Sequence, residues 1–203
     1  MNEQITTDPS NRLIDAAADL FHARSYGTVG IQDVCDAANV RRGSFYYYFR
    51  SKDELGMAAL ERSTDRVIEA VHHPAFSGSD SPKPQLSQFV DLLQRYYADR
   101  SDHFGVQIGC PIANIAEELS TISTDLRDKA GEQFGRIRSY YEAFVRNAME
   151  RGEARPGDAA AVARRFLALV QGTLLQAKVA GNATVLAELT DSLTVIAGLG
   201  TDP

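Results

Sequence analysis

Little in this chain suggests chemistry. It has two cysteines, Cys35 and Cys110, far apart in sequence. That pattern excludes a disulfide scaffold and fits a reduced cytoplasmic protein. It has four histidines, His22, His72, His73 and His103, and none has partners at metal-ligand spacing. The pair His72-His73 is therefore not read as a metal site. There is no glycine-rich nucleotide loop and no Ser-His-Asp order, so neither an enzyme nor a cofactor is expected. No apolar run approaches the roughly 18 residues that span a bilayer, and the polar start MNEQITTDPSN is not a signal peptide. No segment alternates like a strand, and there is no internal repeat or low-complexity tract.

Positive charge is also scarce overall. The net charge is -6 and the sequence pI about 5.2. Such a chain does not coat nucleic acid, but it can touch DNA through one local patch. Residues 1–52 are balanced, whereas residues 53–203 carry all of the net negative charge. Within the balanced part, Asn39 to Lys52 holds four basic residues and no acidic one.

That basic stretch completes a pattern running from Thr28 to Lys52, TVGIQDVCDAANVRRGSFYYYFRSK. Ile31, Val34, Ala37 and Ala38 give the one-sided spacing of a short amphipathic helix. Asn39 and Val40 follow as a tight turn, since Asn tolerates a left-handed backbone. A second short helix, Arg41 to Tyr48, then presents Arg41, Arg42, Ser44 and the tyrosines Tyr46, Tyr47 and Tyr48. This is a helix-turn-helix whose second helix suits the major groove. Arginine can reach guanine edges and phosphates, and Ser or Tyr can reach phosphates.

Elsewhere helical periodicity continues, so the fold class is all-α with about nine helices. The first helix starts near Ser10 or Asn11, buries Leu13, Ala16, Ala17, Leu20 and Phe21, and ends at Tyr26-Gly27. A fourth starts at Ser51, with Glu54 completing a capping box, and runs to about Val71. His72 to Pro84 reads as a surface loop. Further helices are expected over Pro84 to Arg100, Pro111 to Leu119, Thr124 to Glu150, Asp158 to Ala180 and Thr184 to Leu199. The helix over Asp158 to Ala180 is apolar nearly all round, which calls for cover on both faces.

The order Leu13 to Phe21, Tyr26-Gly27, Val34, Ala37-Ala38, Val40, Gly43 to Phe49 and Ser51 to Leu55 resembles the DNA-binding domain of the TetR family of repressors. The likeness holds one register without a gap. It departs at Gly30, where the family usually has Ser or Thr, and at Arg41, where it often has Ser. It implies a helix-turn-helix domain over residues 1–52 and a helical effector-binding and dimerisation domain over 53–203. Arg41, Arg42, Ser44 and Tyr46 would meet bases, and Thr28, Tyr47, Tyr48 and Lys52 would meet phosphates. Phe45 and Phe49 would be core.

The same resemblance implies a double-stranded operator, a small-molecule effector and a homodimer through the last two helices, with no membrane role. Candidate effector-pocket residues are Tyr96, Tyr97, Phe104, Cys110, Asn114, Tyr141, Phe166 and Gln171. The run GCPIANIAEEL looks like a branch of the family with Gly-Cys at this point, some of whose members answer electrophiles or oxidants through the cysteine. Cys110 sits where a helix dipole favours a thiolate, and Lys178 would assist if it faced the sulfur. The competing readings are a packing role for Cys110, and a structural DNA-binding protein without an effector.

Overall fold

The computed structural model describes residues 8–78 and 81–200. Among these residues there are nine helices and no named strand. Only an isolated bridge pairs Ala154 with Leu199. The helices are α1 (Pro9–Ala23), α2 (Ile31–Ala37), α3 (Arg42–Tyr48), α4 (below), α5 (Pro82–Phe104), α6 (Pro111–Leu119), α7 (Thr124–Glu150), α8 (Ala159–Ala180) and α9. Helix α9 opens as a 3₁₀ turn over Ala183–Glu188 and continues as α-helix over Leu189–Ala197.

Helix α4 corrects the expected loop at His72. It is α-helical over Lys52–Val67, widens to a π turn over Ile68–His72, and is α-helical again over His73–Phe76. Burial keeps the chain helical here, and a widened turn accommodates the proline. Val71, His72 and Ala75 are almost fully buried, so leaving the helix would expose them. Pro74 would press its ring on the carbonyl of Ala70 in a regular helix. The wide turn precedes it, with the His73 N–H reaching back five residues to Ile68. Helix α5 likewise starts two residues before the expected Pro84 and runs past Arg100 to Phe104, stopping at the left-handed Gly105.

The described chain forms two compact units. One comprises residues up to Ser63 together with Pro111–Gly131, and the other Thr64–Cys110 together with Glu132 onwards. In the first, α1 packs on α2 and α6, and α2 on α3. Its core includes Leu13, Phe21, Val34, Phe45, Leu55 and Leu126. In the second, α9 packs on both α5 and α8, and the π turn lies against α5. An aromatic cluster fills its centre. Phe76 stacks on Phe89 at 5.1 Å between ring centroids, Phe89 meets Tyr141 at 5.6 Å, and Tyr141 meets Phe166 at 5.8 Å.

Candidate nucleic-acid interface and effector core

The reversal between α2 and α3 follows from one residue. Asn39 adopts φ 51°, and the Val40 N–H bonds the Cys35 carbonyl at 2.9 Å. This left-handed step is what Asn permits at low cost. The missing hydroxyl cap at Gly30 is offset from the other side, because the Gly30 N–H donates to Asp33 Oδ2 at 2.6 Å. Phe45 is fully buried and Phe49 nearly so, their rings 5.9 Å apart, which fixes the rotation of α3 about its axis. Arg41, Arg42, Ser44, Tyr46 and Tyr47 consequently face solvent.

Tyr47 is 84% exposed and Tyr46 is 56% exposed, beside two arginines with no acidic residue between them. Large aromatic side chains left in water are informative, whereas an exposed arginine alone is not. The Tyr47 and Tyr48 rings meet edge-on at 5.0 Å, so Tyr48, half-buried, supports the outer tyrosine. Thr28 is exposed, and its hydroxyl donates to the Ser25 carbonyl at 3.0 Å.

Lys52 takes a different direction from the one sequence suggests. Its ammonium donates to the Tyr26 carbonyl and stands 4.0 Å from the centre of the Tyr26 ring. Burial lowers its pKa, with Glu118 and Asp53 opposing the shift. Lys52 is thus engaged with the α1–α2 loop. Tyr26 itself donates from its hydroxyl to Asp53 Oδ1 at 2.6 Å, and burial, then the bond to Asp53, raises its pKa. Sequence reasoning missed this cluster, because its members lie in α4, α6 and a loop more than twenty positions away.

The expected pocket residues divide. Tyr97, Cys110, Tyr141 and Phe166 are buried in the second unit, and Tyr96, Phe104 and Gln171 are half-buried there. Burial raises the pKa of both Tyr97 and Tyr141, and the negative charge of an ionised Cys110 would add to the rise in each case. The Gln171 Oε1 is buried without a hydrogen-bond partner among the described residues. Asn114 lies in α6, which belongs to the first unit. Lys178 is exposed in the last turn of α8. A cleft of about 430 Å³ lies elsewhere, lined by Gly152–Pro156 and by Thr194, Val195 and Gly198–Gly200, and none of the expected residues lines it.

His72 completes this core. Its ring is 2% exposed, with Nε2 3.1 Å from the Tyr141 hydroxyl and Nδ1 3.3 Å from the Val67 carbonyl. Among the described residues no group of three or more His, Cys, Asp or Glu could hold a metal ion.

Comparison with known proteins agrees with this geometry. Residues 13–59 match the family model "Bacterial regulatory proteins, tetR family", and residues 82–193 match "Tetracyclin repressor-like, C-terminal domain". An uncharacterised HTH-type transcriptional regulator of Lactococcus lactis is 25% identical over 175 residues, covering 86% of each chain. The HTH-type transcriptional repressor NemR of Escherichia coli is 28% identical over 130 residues, covering 63% of this chain and 62% of NemR. The crystal structure of reduced E. coli NemR shares the fold, with a TM-score of 0.80 at 23% identity over 97% of this chain and 100% of that one.

Proposed function

This chain belongs to the tetR family of bacterial regulatory proteins and is a DNA-binding transcriptional regulator; on that premise we propose a homodimeric cytoplasmic repressor released from a palindromic operator by a small molecule. The observation that carries the DNA contact is the exposed α3 face of Arg41, Arg42, Ser44, Tyr46 and Tyr47 over the buried Phe45. In this reading Arg41, Arg42, Ser44 and Tyr46 reach base edges, while Thr28, Tyr47 and Tyr48 grip phosphates. Lys52 acts one step back, by holding the Tyr26 loop. Residues 1–52 do the reading, and residues 53–203 bind effector and pair the subunits. A single helix-turn-helix binds weakly, and two on a two-fold axis match the half-sites of a palindrome.

The effector acts around Tyr97, Cys110 and Tyr141, and the Cys110 thiol is its target. Support comes from the burial of Cys110 in the same unit as Tyr97 and Tyr141 and from the likeness to the E. coli repressor NemR, which was crystallised in a reduced form. An adduct on a sulfur that is 5% exposed adds volume to a close-packed core. A core that cannot absorb it shifts, and affinity for DNA falls through differential binding to the two states.

The test begins with a duplex selected by the protein from a random pool. Brief treatment with a small electrophile such as N-ethylmaleimide should release the wild type but not Cys110→Ser, with Cys35→Ser behaving as wild type. Equal release from Cys110→Ser would leave Cys110 as packing and point to a reversibly bound effector.

A further inference from the structure

The loop between α1 and α2 is held by a side chain from far along the chain. Glu118, in the last turn of α6, accepts the N–H of Tyr26 on Oε2 at 2.9 Å and the N–H of Gly27 on Oε1 at 2.6 Å. Two consecutive amides on one carboxylate form a paired, charge-assisted contact, stronger and more directional than either bond alone. Gly27 has ordinary backbone angles, so its lack of a side chain serves another purpose. A Cβ there would lie 2.7 Å from Glu118 Oε1. The carboxylate would have to shift off the Gly27 amide to make room.

The same loop is gripped from α4. The Tyr26 hydroxyl bonds Asp53, whose other oxygen accepts the Ser123 hydroxyl at 3.3 Å, and the Lys52 ammonium bonds the Tyr26 carbonyl. Two residues beyond Tyr26 comes Thr28, and three beyond Thr28 α2 begins. The loop therefore sets where the helix-turn-helix starts. The Tyr26 ring is itself buried against Phe21, 4.8 Å between centroids, so the polar cluster ties the loop to the core.

We infer that Glu118 is a positioning residue for DNA binding: by clamping the Tyr26 and Gly27 amides, α6 sets the pose of the helix-turn-helix. The inference rests on the DNA-binding reading and names which bond governs it. It also makes an acidic residue favourable for binding a polyanion. Charge alone predicts the reverse, since removing an acid should tighten binding to DNA.

The experiment compares wild type, Glu118→Ala, Gly27→Ala and the double variant on the duplex that wild type selects from a random pool. Glu118→Ala should bind about tenfold more weakly, the equivalent of roughly 1.4 kcal/mol, with the slope against salt unchanged. Arg42→Ala, as the control, should lower that slope. Gly27→Ala should be similarly weak, and the double variant no weaker than either single, because both remove one contact. Hydrogen exchange without DNA should show faster exchange at the Tyr26 and Gly27 amides in each variant. If Glu118→Ala does not fold, Glu118→Gln, of equal size but with one acceptor oxygen, decides by the same exchange and binding measurements. Wild-type or tighter binding by the variants, additive losses, or unchanged amide exchange would overturn the inference. Failure of the wild type to select any duplex would instead count against the DNA-binding reading.

Discussion

At the scale of single residues, His72 carries the clearest consequence. Burial among Phe89, Tyr140 and Tyr141 lowers its pKa from 6.5 to about 4, against the opposing bond to the Val67 carbonyl. The folded protein therefore keeps the ring neutral where the unfolded chain would protonate it. Its contribution is fully present above pH 6.5 and is lost as pH falls towards 4. Between pH 7 and pH 5 the loss amounts to about 2 kcal/mol. The melting temperature should fall across that interval in wild type and fall less in His72→Gln, followed by circular dichroism. Parallel curves would show that His72 is not the group responsible. Asn39 was legible in the sequence because its left-handed backbone is a local property. The inward turn of Lys52 was not, since it depends on an aromatic ring 26 positions earlier.

At the scale of elements, periodicity located all nine helices among the described residues and misjudged the end of α4 and both ends of α5. The Ser, Gly and Pro content of His72 to Pro84 reads as a loop. The contrary signal was present: Leu55, Ala59, Val67, Val71 and Ala75 are buried at multiples of four. A stripe with that spacing drifts about 40° per step around an ideal α-helix, and a wider turn removes part of the drift. The apolar character of α8 was read correctly, and the structure shows what it leaves over. Leu175 is 48% exposed, Val179 82%, and on α9 Val195 72%. Large apolar side chains in water at the outer surface of two packed helices favour a second copy as their cover, each contributing about 1.5–3 kcal/mol if fully buried. Val179→Asp should weaken self-association at least about tenfold, by the cost of burying a charge, and operator affinity should fall with it. Sedimentation and anisotropy on the same samples check both. A monomeric variant that kept full operator affinity would contradict the pairing.

At the scale of the whole molecule, composition announced an acidic body with one basic stretch. Helical patterning announced the fold class, and the family pattern announced the helix-turn-helix. What remained hidden was which distant segments share a unit, because sequence records order along the chain and packing does not follow it. The first unit takes its second part from Pro111–Gly131, so the chain passes between units after Ser63, after Cys110 and after Gly131. This interleaving limits how such a protein can exchange parts by recombination. A crossover after residue 63 transfers a complete helix-turn-helix but leaves its Tyr26 and Gly27 amides, Asp53 and Glu61 facing another protein's replacements for Glu118, Ser123 and Lys129. A chimera built that way from a relative should bind the donor's operator poorly, and adding the donor's segment 111–131 should restore it. If Glu118 poses the helix-turn-helix, DNA binding in this architecture is inherited in two pieces separated by the stretch that carries Cys110.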